Sequence, residues 1–127
     1  MTTLAARPSV PSWPSCGLHD ASTDGCRGRI VAPYSRCLAH LDQAKRQAYL
    51  GDLQPGSDVD HRGTRLTGAL LTALLAAVRD GRRASFGAAR FSDADFSDDA
   101  DFDSAAFEGD ADFDRAKFNG AARFHWA

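Results

Sequence analysis

The stretch that decides the fold is residues 84–127, ASFGAARFSDADFSDDADFDSAAFEGDADFDRAKFNGAARFHWA. Its phenylalanines are separated by steps of five or six residues, and each has an alanine two residues before it. The eight positions are Phe86, Phe91, Phe96, Phe102, Phe107, Phe113, Phe118 and Phe124. A fixed internal period of this kind is typical of repeat architectures.

The same segment also has an eleven-residue period, which occurs in right-handed coiled coils. On a helical wheel, however, the Ala and Phe positions fall on opposite sides, so no single apolar stripe forms. On an extended chain, each Ala shares a face with the Phe two residues later, and the intervening Asp, Gly, Ser and Asn are turn formers. The pattern therefore predicts a β-solenoid of short strands and tight corners, with the eight Phe as its core.

Three Ala-Asp-Phe triplets, at 94–96, 100–102 and 111–113, carry a resemblance to a known family. They resemble the unit of the pentapeptide repeat proteins, which is Ala, then Asp or Asn, then a central Leu or Phe, then two variable residues. The resemblance implies a mainly β fold, a right-handed quadrilateral β-helix of about two coils. The recurrent sixth residue departs from the strict unit, and we expect it to widen alternate corners.

The repeat ends at Phe124, His125, Trp126 and Ala127 without a capping helix, which predicts a β-helix that is incomplete at its C-terminus. A homodimer through this open C-terminal coil is one expectation, and coverage by Trp126 is the other.

The rest of the chain differs in composition from the repeat. Residues 1–83 contain eleven Lys and Arg against seven Asp and Glu, whereas residues 84–127 contain four against ten. All three Cys lie within the first 37 residues, and an odd number of Cys argues against a disulfide framework. With no basic-apolar leader and no long apolar stretch, the sequence predicts a cytoplasmic protein that does not enter a membrane.

Five residues of types that bind metals occur within 25 positions: Cys16, His19, Cys26, Cys37 and His40. Four of them would surround one tetrahedral zinc ion. One alternative on spacing alone is the Cys-x-x-His pair at 16 and 19 with the pair at 37 and 40, which leaves Cys26 out. Gly25 and Gly28 flank Cys26, where a tight knuckle would let backbone amides face the thiolate.

The stretch from Cys26 to Thr64 is similar to the N-terminal region of one subgroup of bacterial pentapeptide proteins, in which Cys-Arg-Gly and Cys-Leu-Ala-His-Leu recur. This resemblance implies Cys16, Cys26, Cys37 and His40 as the ligands, with His19 in a variable loop as the alternative ligand. Four protein ligands leave no position for water, so the zinc would be structural.

The sequence predicts four regions: a disordered tail at 1–15, a zinc-binding module at 16–41, a helical region with a short strand at 38–83, and the β-helix at 84–127. In the helical region, we expect one amphipathic helix from Leu38 to Leu50 that ends near Gly51. A short strand follows at DVDHRGT, residues 58–64, and a second helix, Leu66 to Val78, caps the first coil.

These features favour a non-enzymatic scaffold for an unidentified protein partner, with no small-molecule substrate. Asp60 and His61 beside a Cys-rich element suggest an HNH-type nuclease. That class also needs a downstream Asn and a second metal-binding His on a following helix, and the next His here is His125, inside the repeat. One alternative is a DNA-mimicking modulator of a type II topoisomerase, suggested by the acidic repeat. A second is nucleic-acid contact through basic residues of the zinc module, and the lack of interleaved aromatics disfavours it. Those residues are Arg27, Arg29, Arg36, Lys45 and Arg46.

Overall fold

The computed structural model describes residues 13–17, 26–81 and 83–125. Two α-helices are present there, α1 (Gln43–Gly51) and α2 (Gly68–Ala77), and a short 3₁₀ helix, Leu38–His40, precedes α1. The strands are β1 (Ser57–Asp60), β2 (Arg65–Leu66), β3 (Arg79–Asp80), β4 (Arg83–Arg90), β5 (Asp95–Phe96), β6 (Ala100–Asp101), β7 (Ala106–Phe107), β8 (Ala111–Asp112), β9 (Lys117–Phe118) and β10 (Ala122–Arg123).

The repeat segment forms two tiers that pair in parallel. We call residues 84–105 the first tier and residues 106–125 the second tier. Strand β4 pairs with β7 and β8, β5 pairs with β9, and β6 pairs with β10, always between residues 21 or 22 apart. A repeat β-structure with helices before it is confirmed.

The phenylalanines of the two tiers stack in four pairs. Ring centroids are 5.5 Å apart for Phe86 and Phe107, 5.3 Å for Phe91 and Phe113, 4.8 Å for Phe96 and Phe118, and 5.1 Å for Phe102 and Phe124. The first-tier rings are at most 1% exposed, whereas Phe124 is 40% exposed. The aromatic core is therefore closed at the first tier and open at the second.

Residues 57–66 form a half tier on the other side of the first tier. Strand β1 pairs in parallel with β4, and β2 pairs with β5, with Val59 opposite Ala89 and Leu66 opposite Phe96. His61 follows β1 and lies over Phe91, with the ring centroids 6.1 Å apart. His61 and Leu66 thus occupy positions that Phe occupies in the full tiers.

Helix α2 follows the half tier. Thr67 caps it by accepting a hydrogen bond from the Leu70 N–H at 3.1 Å, and Leu70, Leu71 and Leu74 are buried in the core that contains the first-tier Phe. The helix begins two residues later than the predicted Leu66, because Leu66 pairs as a strand instead.

The predicted continuous helix from Leu38 to Leu50 is wrong, because it is broken at Leu41. That residue is extended, with φ −68° and ψ 144°, and Asp42 caps a new helix by accepting from the Lys45 N–H at 2.9 Å. The predicted end near Gly51 is where α1 ends.

Alternate corners of the repeat differ in backbone geometry. At the five-residue steps that follow His61, Phe91, Phe102 and Phe113, the second residue after the core position has a positive φ: Gly63 at 67°, Asp93 at 59°, Ser104 at 63° and Arg115 at 57°. The N–H of the next residue then bonds to the core residue's carbonyl, as Ala94 does to Phe91 at 3.0 Å. These are tight turns of type II. From Phe91 onward they alternate with the six-residue steps, whereas the five-residue step from Phe86 to Phe91 runs along strand β4.

One hydrophobic core joins the N-terminal residues to the repeat. It contains Val31, Leu38 and Leu41 together with the leucines of α2 and the first-tier Phe. Three residues of the predicted tail are described, and Trp13 among them is buried and donates its indole N–H to the Arg27 carbonyl at 2.8 Å. In the described parts of the chain, neither helix has the length and apolar character needed to cross a membrane.

Candidate metal centre

A narrow hairpin positions the first two cysteines. The N–H of Cys16 donates to the Gly28 carbonyl at 2.7 Å, and the N–H of Gly17 donates to the Cys26 carbonyl at 2.8 Å. Cys16 and Cys26 therefore lie on facing segments, although eight residues separate Gly17 from Cys26. His19 and Gly25 are among those eight and lie outside the described residues.

The other two predicted ligands lie at the two ends of the 3₁₀ helix, with Cys37 immediately before it and His40 as its last residue. Cys37 forms an antiparallel bridge with Ile30, and the His40 N–H bonds to the Cys37 carbonyl at 3.0 Å. The Arg36 guanidinium donates to the Cys16 carbonyl at 2.7 Å. This bond ties the two halves of the cluster together.

The structure brings Cys16, Cys26, Cys37 and His40 into one cluster whose ligand atoms all lie within 4.8 Å of one another. The Cys26 and Cys37 sulfurs are 3.7 Å apart. The His40 Nδ1 is 3.4 Å from the Cys16 sulfur and 3.4 Å from the Cys37 sulfur. One metal ion would be reached by all four.

The thiols of the cluster differ in acidity. The hydrogen bond from Cys37 lowers the pKa of Cys26 to about 5, and the Gly28 N–H, 3.3 Å from the Cys26 sulfur, acts in the same direction. The same thiol pairing, together with burial, raises the pKa of Cys37. One sulfur of the pair is thus ready to bind a cation as a thiolate, which is the form that coordinates metals.

Gly28 is required by close packing. A Cβ at this position would lie 2.7 Å from the Cys37 Cβ, 2.9 Å from the Cys37 sulfur and 3.0 Å from the Thr64 Oγ1. At the knuckle predicted around Cys26, the backbone at Gly28 therefore packs directly against Cys37 and against Thr64 of the half tier. No side chain larger than hydrogen fits there without moving a ligand.

The cluster is attached to the half tier by polar contacts. The Arg29 N–H donates to the Arg62 carbonyl at 2.8 Å, and the Arg29 guanidinium pairs with the Asp60 carboxylate at 2.9 Å. Arg62 binds the same carboxylate through two nitrogens at 2.8 and 2.7 Å. The module is thereby fixed over one end of the stacked core.

The Asp60-His61 pair does not form a solvent-facing catalytic site. Asp60 is held by the two arginines, and His61 is fully buried, with its Nε2 3.0 Å from the Tyr49 hydroxyl. Burial lowers the pKa of His61 to about 4, and burial raises the pKa of Tyr49. The histidine therefore packs as a neutral core residue.

The five basic residues considered for nucleic acid contact do not form one surface. Arg29 pairs with Asp60, and Arg36 donates to Cys16, as described above. Lys45 lies 3.8 Å from Asp42 on α1, whereas Arg27 and Arg46 line a groove beside the metal cluster. Three of the five basic residues therefore contact neighbouring residues of the chain, and the other two line this groove.

Several acidic side chains of the predicted DNA-mimicking surface bond to backbone N–H groups. Asp98 accepts from Gly68 at 2.8 Å, Asp99 from Ala121 at 2.9 Å, and His125 donates to Asp103 at 2.7 Å. These carboxylates thus form hydrogen bonds between helix α2 and the first tier and between the first and second tiers.

The half tier and the groove are the parts of this region that the sequence did not predict. The half tier had a usable signal, since Val59 and His61, like Thr64 and Leu66, show the two-residue spacing of Ala and Phe in the repeat.

Comparison with protein families supports the repeat. Residues 82–125 match a family model described as pentapeptide repeats (9 copies). No curated protein and no solved structure matches the chain.

Proposed function

We propose that this chain, whose residues 82–125 are pentapeptide repeats, is a non-enzymatic scaffold that binds a protein partner. It consists of a short right-handed quadrilateral β-helix and an N-terminal module held by a structural zinc ion. Rigid stacked repeats present fixed outward side chains, which suits them to binding rather than to catalysis. The one Asp-His pair that resembled a catalytic motif is used for packing and ion pairing.

The four aromatic stacks support the quadrilateral form. Each period of 21 or 22 residues places four phenylalanines in the core, and each stacks on its equivalent in the other tier at 4.8 to 5.5 Å. Four core residues per period correspond to four faces. The half tier supplies two further faces, at β1 and β2, and α2 covers the remainder.

The observation that carries the zinc proposal is the cluster of Cys16, Cys26, Cys37 and His40. Zinc bonds of about 2.3 Å to sulfur and about 2.0 Å to nitrogen, in a tetrahedron, separate two sulfurs by about 3.8 Å and sulfur from nitrogen by about 3.5 Å. The corresponding distances here are 3.7 Å and 3.4 Å. Three sulfurs and one imidazole form a donor set that zinc prefers, and four protein ligands make the site structural.

The module has a physical need for such an ion. Among its described residues, the fully buried members of the core are Val31, Leu38 and Leu41. A metal that binds only the folded arrangement adds its binding free energy to folding. The ion would therefore hold the module over the half tier.

Zinc content tests this proposal. Wild-type protein purified under reducing conditions should contain about one zinc per chain, and Cys37→Ser should contain almost none. His40→Ala and His19→Ala form a matched pair, because His19 is the alternative ligand. We expect zinc loss in the first and full zinc in the second.

Cobalt binding is a second measurement, which tests the site in wild-type protein even if some of the variants do not fold. Cobalt added to metal-free wild type should give the absorption of a tetrahedral cobalt-thiolate site, and the half-buried Cys26→Ser should weaken it. The proposal of a zinc site would be wrong if reduced wild-type protein contained no metal. The ligand assignment would be wrong if His40→Ala retained zinc and His19→Ala lost it.

The contact with a second copy through the open second tier stays a prediction. Phe124 is exposed there, and Phe107, Phe113 and Phe118 are half-buried. Light scattering after gel filtration should report a dimer for wild type and a monomer for Phe124→Asp, and a monomeric wild type would exclude this contact.

A further inference from the structure

A groove of about 870 Å³ lies where the zinc module, helix α2 and one face of the repeat meet. We call it the α2 groove. The module contributes Ala39, helix α1 contributes Arg46, helix α2 contributes Ala69 and Ala73, and the repeat contributes Lys117. A cavity of this size is large enough to accept several side chains of a ligand.

The floor of the α2 groove is made of small aliphatic residues. Ala69 and Ala73 are one helical turn apart and share one side of α2, and Leu70 and Ala39 complete the floor. Among the described residues that line it there is no Phe, Tyr or Trp, and the one imidazole, His40, belongs to the proposed metal cluster. Small side chains allow a peptide backbone to approach closely, whereas stacking of nucleic-acid bases needs aromatic faces.

The rim of the α2 groove carries more positive than negative charge. Five basic side chains and two carboxylates line it, and the carboxylates are already paired. Asp93 binds Arg115 through two hydrogen bonds of 3.0 and 3.1 Å. Asp95 accepts from the Asn119 amide at 2.7 Å and lies 3.8 Å from Arg65.

Arg46 and Lys117 supply positive charge that these carboxylates do not cancel. The Arg46 guanidinium donates to the carbonyls of Leu38, Ala39 and Leu41 at 3.1 to 3.3 Å, so it is held in place by neutral acceptors. Lys117 is exposed and forms no ion pair with a carboxylate of the described residues. The two cations line the groove from different elements, Arg46 from helix α1 and Lys117 from strand β9.

The excess of positive charge on the rim of the α2 groove contrasts with the net charge of the whole chain, which is −2. It also contrasts with the acidic repeat to which Lys117 belongs. A cationic rim around an apolar floor complements a ligand that is acidic along its edges and apolar in its middle. An amphipathic peptide with carboxylates on both sides has that distribution of charge.

We propose that the α2 groove binds an acidic amphipathic peptide segment of a partner protein. The apolar side chains of the segment lie on Ala39, Leu70 and Ala73, and its carboxylates face Arg46 and Lys117. This inference rests on the proposed scaffold function and names the class of partner for it.

Fluorescence anisotropy with three labelled probes tests the proposal. The first is a short peptide with Leu at helical spacing and Glu at the other positions, the second has Lys in place of each Glu, and the third is an oligothymidylate. We expect saturable binding of the Glu peptide alone, weakening as salt is raised.

Variants of the chain locate the binding site. Lys117→Glu should weaken binding about fivefold, because it reverses a charge within a few ångström of a bound carboxylate. Ala69→Glu places a like charge and extra volume on the exposed floor and should weaken it about tenfold. Arg123→Glu is the matched control, since Arg123 and Lys117 are both exposed second-tier residues opposite a first-tier Asp. It should change the affinity less than twofold, about the scatter expected of a distant surface site.

Equal binding of the Glu and Lys peptides, stronger binding of the oligothymidylate, or equal affinities for all three variants would each overturn the proposal. Zinc content and thermal midpoint are measured on the same samples. If wild type contains zinc but does not bind the Glu peptide, the proposal for the α2 groove is wrong and the proposed metal site is unaffected. If wild type contains no zinc, the proposed metal site is wrong, and the anisotropy result still decides whether the α2 groove binds the peptide.

Discussion

The buried histidine of the half tier gives the chain a defined sensitivity to acid. His61 is fully buried, and burial lowers its pKa from 6.5 to about 4. The unfolded chain binds a proton near the ordinary pKa, whereas the folded chain resists protonation until about pH 4. Folding stability linked to His61 is therefore complete above pH 6.5 and is lost as the pH falls from 6.5 to 4.

The size of this loss follows from the shift in pKa. Each pKa unit corresponds to about 1.4 kcal/mol, so the difference between 6.5 and about 4 gives about 3 kcal/mol in total. At pH 5 the linked loss is about 2 kcal/mol, and at pH 7.5 it is below about 0.1 kcal/mol. A single side chain of this kind is a large fraction of the stability of a small domain.

Urea unfolding of wild type and His61→Leu at several pH values measures the effect. Leucine already fills the neighbouring core position at Leu66. The variant leaves the Tyr49 hydroxyl without its partner, which costs about 1 kcal/mol at every pH. Protonation of carboxylates and loss of metal act on both proteins, so the informative quantity is the difference in their unfolding free energies.

That difference should shift by about 2 kcal/mol in favour of His61→Leu between pH 7.5 and pH 5. An NMR titration of the His61 ring should show a midpoint near 4. A constant difference across this range, or an NMR midpoint near 6.5, would refute the reasoning.

Three further predictions concern the metal site and the aromatic core. Gly28→Ala should weaken zinc binding about tenfold or more in a chelator competition, because its Cβ would lie 2.9 Å from the Cys37 sulfur; Gly51→Ala, with no atom within 4 Å of its Cβ, should not. Phe96→Ala should cost about 3 to 5 kcal/mol in urea unfolding, and Phe124→Ala, at a side chain 40% exposed, about 1 kcal/mol; equal costs would contradict the burial gradient. A chelator should lower the thermal midpoint and added zinc should restore it, so a midpoint insensitive to both would argue against a structural ion.

Much of the repeat was predictable because its period is imposed by the core. Every inward position is Phe and every position two before it is Ala, so the pattern is visible without knowledge of the turns. The half tier was missed because His61 and Leu66 stand in the Phe positions, with Val59 and Thr64 in the Ala positions. Helix α2 also lengthens the separation between paired residues from 22 to 30, which hides the period.

The residues of the metal cluster were predictable from the sequence, but the backbone structure around them was not. Five Cys and His residues lie close in sequence, and the structure brings four of them together. The break of the helix at Leu41 was not predictable from the wheel, because the apolar spacing continues through it. The α2 groove joins Arg46 to Lys117 through tertiary packing alone, so no local pattern indicates it.

The graded burial of the stacked rings has a consequence for how the molecule opens. Because each tier contacts only its neighbours, local opening should begin where fewest neighbours remain. Backbone amides of the second tier should then exchange with deuterium first, whereas those paired between the half tier and the first tier exchange only when the whole chain unfolds. The order of exchange would follow the order of the tiers, from the exposed Phe124 to the buried His61.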